Sequence, residues 1–378
     1  MNTRSVWVFG LVVAAIGGLG CGSDDDLPPS QMSAGMGGSD APDAAEIHND
    51  AATPARSGVH IYATVSGAHE LAVIDEGSRD IVDRIPVGQG PAILLATPGE
   101  EKLYTANWRD NTVSSVVRAS KTVKNIAMSG RPYVIALSPS GDKLYVGTNP
   151  TGIVVVDTET DEIESTWPTN ELAASLIVSP DGATLYVATI SIVGPGTLRA
   201  ISTATGEVVH APINVGSSPA WITINPDGSK VFTLNFLSDD ISVVDTATFA
   251  VVHTVSTGPG SQAIIGNVTP DGSRLYVTNH GTGELMAIDT QTYAIVQTIQ
   301  LDGRPVGVSF NAAGTRVYTT DFGTASLAAA PDLGYLLSGT LSATGPGQVR
   351  VFDVATGEAV GATVETGPGA TSVIVHGP

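Results

Sequence analysis

The sequence predicts an all-β fold, a seven-bladed propeller of four-stranded antiparallel blades, and three observations carry that prediction. An apolar–aromatic–apolar triplet recurs at Tyr62, Tyr104, Tyr145, Tyr186, Phe232, Tyr276 and Tyr318, with spacings of 42, 41, 41, 46, 44 and 42 residues. That is the period of a four-stranded blade. Turns of one wording precede the triplet, as Pro139-Ser140-Gly141, Pro180-Asp181-Gly182, Pro226-Asp227-Gly228 and Pro270-Asp271-Gly272. The two ends of the repeat array are complementary, because the first repeat lacks an innermost strand and the last residues supply one.

The most regular repeat shows the elements in order. Ala263 to Val268 reads as an innermost strand, and Pro270-Asp271-Gly272 reverses the chain, with proline presetting one turn dihedral and glycine accepting positive φ. Arg274 to Asn279, Leu285 to Asp289 and Ala294 to Gln300 follow as the second, third and outer strands. Alternation of the kind in Ile241-Ser242-Val243-Val244-Asp245 marks half-buried strands, and no segment sustains a helical period. The aspartate ending the third strand (Asp75, Asp157, Asp245, Asp289, Asp353) is expected to be a turn device whose carboxylate accepts backbone N–H groups. At the ends, His60 to Val65 opens the array at a Tyr strand, and Ser372 to Val375 lies in an orphan innermost strand after the loop Gly367-Pro368-Gly369. Pairing the two closes the ring and removes exposed sheet edges.

Residues 1–20 read as a lipoprotein-type signal peptide. Arg4 is followed by an apolar run, Val6 to Leu19, that is short for a membrane span. The run ends at Cys21, the single cysteine and the expected lipidation site. Gly20 fits such a site, whereas Gly18 stands where these sites usually carry leucine. An ordinary cleaved signal is the alternative. Residues 21–57 hold seven acids against Arg56 in a Ser/Asp/Ala/Pro/Gly-rich stretch, and a disordered acidic tether is expected. One cysteine allows no disulfide and no thiolate metal cluster within the propeller, residues 58–378. With 37 acids against 17 bases and a net charge of −20, nucleic acid and anionic lipid surfaces are disfavoured as partners. Membrane attachment is expected only through the lipid on Cys21, with Gly22 after it pointing to the outer membrane, and the chain is expected to be a monomer.

Leu275-Tyr276-Val277-Thr278-Asn279, the trailing Ile288-Asp289-Thr290, the Gly303-Arg304-Pro305 loop and the Pro-Asp-Gly turns resemble the YVTN-family β-propeller repeats over residues 59–378. That family includes surface-layer-like and exported bacterial proteins. The resemblance implies the fold. Its relatives in shape span lactone hydrolases, haem d1 domains, quinoprotein amine dehydrogenase subunits and streptogramin-cleaving lyases, so it implies no one chemistry.

If one rim is built from loops leading into the innermost strands and loops joining second to third strands, that rim concentrates the chemistry-bearing side chains. Asn107, Trp108, Asn279, His280 and Asp321 lie at or just after second strands, Arg131 and Arg304 in leading loops, and Trp221 just inside an innermost strand. Arg131 and Arg304 share a repeat position, and either grip a carboxylate or phosphate of a ligand or pair locally, the second being favoured. Trp108 and Trp221 stack on a ligand or pack in the core. His280, with Asp321, is a candidate proton-transfer group, and His280 alternatively a metal ligand or a plain loop histidine. No metal-ligand motif occurs and no cofactor is expected, a divalent cation excepted as possible. One repeat carries an insertion, about residues 324–347, which covers the rim or meets a partner on one reading and is an ornament without a role on the other.

Two functions follow. The favoured one is a non-catalytic, envelope-anchored binding or scaffold propeller that recognises a protein, peptide or small molecule at the rim, because no nucleophile–base motif is present. The alternative is a lactonase- or lyase-like enzyme, which requires His280, Asp321, Arg131 and Arg304 to converge on the channel.

Overall fold

In the computed structural model, residues 58–169, 171–191, 194–323 and 346–376 are described, all within the unit Thr53–Pro378. The signal peptide, Cys21, the tether and insertion residues 324–345 lie outside them. Twenty-eight strands, and no helix among the described residues, form seven four-stranded antiparallel sheets. Blade 1 contains β1 (His60–Val65), β2 (Glu70–Asp75) and β3 (Ile81–Pro86). Blade 2 runs through β4 (Pro91–Ala96), β5 (Lys102–Asn107), β6 (Thr112–Val117) and β7 (Thr122–Ala127). Blade 3 is β8 (Arg131–Leu137), β9 (Lys143–Asn149), β10 (Gly152–Asp157) and β11 (Glu162–Trp167). Blade 4 is β12 (Ala173–Val178), β13 (Thr184–Thr189), β14 (Thr197–Ser202) and β15 (Val208–Asn214). Blade 5 comprises β16 (Pro219–Ile224), β17 (Lys230–Asn235), β18 (Asp240–Asp245) and β19 (Ala250–Ser256). Blade 6 comprises β20 (Ala263–Val268), β21 (Arg274–Asn279), β22 (Glu284–Asp289) and β23 (Ile295–Gln300). Blade 7 has β24 (Pro305–Phe310), β25 (Arg316–Asp321), β26 (Pro346–Asp353) and β27 (Val364–Pro368), and the chain ends in β28 (Ala370–His376). Pro346 and Gly347, assigned to the insertion from sequence, already belong to β26.

The ring closes as the ends of the array predict. β28 is the innermost strand of blade 1, pairing antiparallel with β1 in the register Ile61↔Val375, Tyr62↔Ile374 and Ala63↔Val373. Side chains reinforce the seam, with Ser372 N–H donating to Thr64 Oγ1 (2.9 Å) and Thr371 Oγ1 donating to Ala92 O of blade 2 (2.8 Å).

Seven apolar clusters fill the seven blade interfaces. The repeated aromatic is the largest side chain in them, and Tyr104, Tyr276, Tyr318 and Phe232 are all but inaccessible. Burying a side chain of that size stabilises by roughly 1.5–3 kcal/mol. The tyrosines need a partner for the hydroxyl, and each of three finds it on the next blade. Tyr104 donates to Thr158 O (3.2 Å) and to Asp161, Tyr276 to Val354 O (3.1 Å), and Tyr318 to Glu76.

A second contact repeats at the rim of each interface. The turn leaving the third strand in every blade places a residue at positive φ, namely Arg79, Lys121, Asp161, Gly206, Phe249, Tyr293 and Gly357, with Gly361 a second one in the longer connection of blade 7. A side chain there costs about 1–2 kcal/mol, and each of the first seven touches the preceding blade. Arg79 Nη2 donates to Val360 O (3.0 Å), Lys121 pairs with Asp83, and Asp161 receives Lys102 Nζ (3.0 Å). Phe249 stacks on His210 (5.0 Å) and Tyr293 on His253 (4.7 Å). At Gly206 and Gly357 the neighbour fills the space instead, since a Cβ would come within 2.8 Å of the Trp167 ring or 2.4 Å of Gln297 Nε2. The third-strand aspartates sit at the start of these hairpins and accept the backbone N–H groups of Ser78, Thr160, Thr248, Thr292 and Thr356. Those bonds hold the Asp157 carboxyl well below its usual range, at about 2.

Candidate functional site

The two loop sets do share one rim, and backbone hydrogen bonds stitch them. Arg109 N–H donates to Gln89 O, Phe236 N–H to Ser218 O, and His280 N–H to Gln262 O. The asparagine ending a second strand sits beneath this stitching. Asn107 is fully buried, and its Nδ2 donates to Thr112 Oγ1 (3.0 Å) and Ser114 Oγ (2.8 Å). Asn235 makes the same pair with Asp240 and Ser242. Asn279 is equally buried, with Nδ2 3.5 Å from Glu284 Oε2. Each amide nitrogen is engaged inside its own blade, while Asn107 Oδ1 and Asn279 Oδ1 are buried without a partner among the described residues. Asp321 holds the corresponding position, accepts Gly323 N–H (2.9 Å), and lies so close to Gly303 that no Cβ would fit there.

The residue after that position is packed differently from blade to blade. In blades 4, 5 and 7 it is Ile190, Phe236 and Phe322, which join one cluster with Trp221, Ile264 and Val306. Trp221 is therefore a packing residue in part, its Nε1 buried without a partner among the described residues. His280 occupies the same position in blade 6 and is only 3% exposed. Its Nδ1 is 3.3 Å from Pro305 O, so Nδ1–H donates and the lone pair is left on Nε2, which is buried without a partner among the described residues. Burial, with the Arg304 charge nearby, lowers its pKa to about 4 against the opposing Pro305 bond. The imidazole is neutral at pH 7. Arg304 Nη1 donates to His280 O and Gly281 O, 3.1 Å each, so this guanidinium staples two loops.

Blades 2 and 3 present the same two repeat positions differently. Trp108 is partly exposed, and Arg131 is exposed with its Cζ 5.9 Å from the indole centroid. Arg109, next to the tryptophan in sequence, brings a second Cζ to 4.9 Å. It was not singled out from the sequence, although its adjacency to Trp108 was the available signal. Gly90, at φ +70, leaves room for both, since a Cβ would lie 2.9 Å from Arg109 Cγ and 3.0 Å from Trp108 Nε1.

The sequence candidates therefore fall into two groups. His280, Arg304 and Asp321 gather on blades 6 and 7, and Trp108 and Arg131 on blades 2 and 3, with two blades between the groups one way round and one the other. A cavity of about 540 Å³ opens between blades 6 and 7, lined by Gln300, Asp302, Asp321, Gln348 and Arg350 among others. Asp321 is the one sequence candidate that lines it. Among the described residues no three His, Cys, Asp or Glu side chains gather as a metal site, and no helix is long and apolar enough to cross a membrane.

Comparison with known proteins supports the fold most directly. A chain of hydrazine synthase from Kuenenia stuttgartiensis superposes with a TM-score of 0.62 at 20% identity, covering 75% of this chain and 88% of that one. The dihydro-heme d1 dehydrogenase NirN in complex with DHE superposes with a TM-score of 0.56 at 15% identity, covering 83% and 74%. At such identities the likeness concerns the propeller alone. In sequence, the chain is 27% identical over 138 residues to Antigen Lp49 of Leptospira interrogans serogroup Icterohaemorrhagiae serovar copenhageni, a match covering 32% of this chain and 30% of that protein. The chain thus spans under a third of this relative's length. No family model matches. The chain is a seven-bladed β-propeller.

Proposed function

We propose that this chain is a bacterial envelope propeller of the YVTN type, attached through a lipid on Cys21, that binds a protein, peptide or small molecule at its rim rather than transforming it. The observation that carries this reading is the division of the candidate groups. A hydrolytic site needs a base, an electrophilic cation and a substrate pocket at one point. His280 and Arg304 are instead engaged with backbone carbonyls, and Arg131 lies on the far side of the ring with Trp108. Exposed indole and guanidinium groups are the side chains that anchor binding surfaces. Partial similarity to a protein named as an antigen accords with an envelope location.

The test uses the full chain expressed with its leader in a bacterial host. Metabolic labelling with an alkyne fatty acid should mark the wild type and not Cys21→Ser. Envelope proteins cross-linked to the wild type and identified by mass spectrometry should be lost together in Trp108→Ala/Arg131→Ala and retained in Asp227→Ala on the opposite face. Turnover of a lactone panel, with or without added Ca²⁺, that disappears in His280→Gln would overturn the binding reading.

A further inference from the structure

Every blade ends in an outer strand whose far edge has no partner among the described residues, and native edges of this kind carry charges or proline that stop another strand from adding. Five of the seven follow the rule. β3 carries Asp83 and Arg84, β7 Lys124, β11 Glu162 and Glu164, and β27 Glu365. β15 has no charge but holds Pro212, which removes a backbone donor. β19 and β23, on adjacent blades, have neither charge nor proline. They read Ala-Val-Val-His-Thr-Val-Ser and Ile-Val-Gln-Thr-Ile-Gln, and expose Val252 by 51%, Ile295 by 48% and Val296 by 49%. β19 is the longer. It is held in place from both sides, by its ladder with β18 and by His253 stacked on Tyr293 of blade 6.

Charge around this edge defines what fits it. The β18 residues opposite the two ends of β19 are acids, with Asp245 paired to Ala250 and Asp240 to Ser256, but Asp245 is neutralised by Lys230 (2.6 Å), so the uncompensated charge lies at the Ser256 end. An added strand would lie about 10 Å from β18, two strand spacings away, within the range over which exposed charges interact at moderate salt. With a net charge of −20, a second copy of the chain brings the same acids and is repelled.

We propose that β19 is a docking edge for an extended segment of another protein, apolar and β-branched over its central residues and basic at the end that meets Ser256 and Asp240, which adds to blade 5 as a fifth strand. Main-chain hydrogen bonds supply the affinity, and Val252 with its exposed neighbours supplies the side-chain contacts. This site is on the circumference and does not depend on the rim reading.

The probe is a fluorescein-labelled peptide, KKTVTVTVKK, titrated into the full chain and read by anisotropy. Saturable binding is expected, weakened about fivefold or more by Val252→Lys and unchanged by Ile163→Lys on the charged β11 edge. Hydrogen exchange should show slowed β19 amides in the wild type with peptide present. Equal peptide affinity in wild type and Val252→Lys, or no added protection in β19, would overturn the proposal. Sedimentation showing a dimer that Val252→Lys converts to monomer would also overturn it, in favour of a second copy as the occupant.

Discussion

Two pairs of residues hold the same repeat positions and end in opposite states. Trp108 and Arg131 join blades 2 and 3, and His280 and Arg304 join blades 6 and 7. In the first pair the indole stays partly exposed, Gly90 leaves space for its edge and for Arg109, and two guanidiniums lie by its ring. In the second, Gly281 follows the histidine and packs against Gly260 O with no room for a Cβ. The imidazole drops beneath that close-packed backbone, and Arg304 turns onto the carbonyls above it. One side of the rim is an exposed cationic and aromatic surface, the other a sealed plug. Equivalent positions in a repeat are equivalent in backbone, and the neighbouring side chains decide whether chemistry is presented or buried.

Four measurements would break or sharpen this contrast. The largest effect is expected from opening the ring that holds both pairs in place. Removing residues 370–378 takes away β28, including the buried Ala370 and Val373 and the seam bonds of Thr371 and Ser372. At roughly 1–3 kcal/mol for each buried apolar side chain and about 1 kcal/mol for each lost hydrogen bond, the loss should exceed about 4 kcal/mol. An unchanged melting temperature would show that closure by β28 is unimportant.

Next is the acid response of the sealed side. His280 has a folded pKa of about 4, below the ordinary 6.5. The unfolded chain therefore binds the extra proton between those values, and stability falls as pH drops from 6.5 to 4, by about 3 kcal/mol in total. This contribution is fully present above pH 6.5. His280→Phe should abolish that part of the slope, because the phenyl ring enters the same apolar environment as Phe236 and Phe322 without titrating. Parallel denaturation curves for wild type and His280→Phe between pH 4 and 7 would show that His280 is not a buried neutral plug.

A middle-sized effect tests the interface beneath the exposed pair. Asp161→Ala removes the charged partner that Tyr104 and Lys102 share across blades 2 and 3, leaving both on Thr158 O, and should cost about 1–3 kcal/mol through the lost bonds to a charged acceptor. A cost below about 0.5 kcal/mol, measured by urea denaturation, would show that Thr158 O suffices for both donors. The smallest effect on folding belongs to the exposed pair itself. Trp108→Ala and Arg131→Ala should each shift stability by about 1 kcal/mol or less, while removing rim binding. A loss several times larger, measured by urea denaturation, would mean that the pair is structural.

Much of the architecture was legible from local signals. The forty-odd-residue period, the Pro-Asp-Gly turns, the closing strand and the role of the third-strand aspartates all depend on residues close in sequence, and the structure contains each of them. The positive-φ latches were not anticipated, because Arg79, Lys121, Asp161, Phe249 and Tyr293 share a backbone position and no side-chain type. Asn107 and Asn279 appeared as rim candidates from the sequence, and the structure places their amides inside the blades, since a strand end is exposed or covered according to the loop folded over it. The expected single pocket of imidazole, amides and two guanidiniums was drawn from repeat position alone, and the fold divides those groups between opposite sides.

The sequence by itself determined the number of blades, their strand order and the way the ring closes, because hydrophobic period and turn chemistry act over a few residues and repeat seven times. Only the tertiary structure decided which rim side chains meet and which are sealed. That outcome rests on contacts between residues 20 or more positions apart, Trp108 with Arg131 and His280 with Arg304. Burial and charge there depend on the sizes of both partners and on the backbone packed between them.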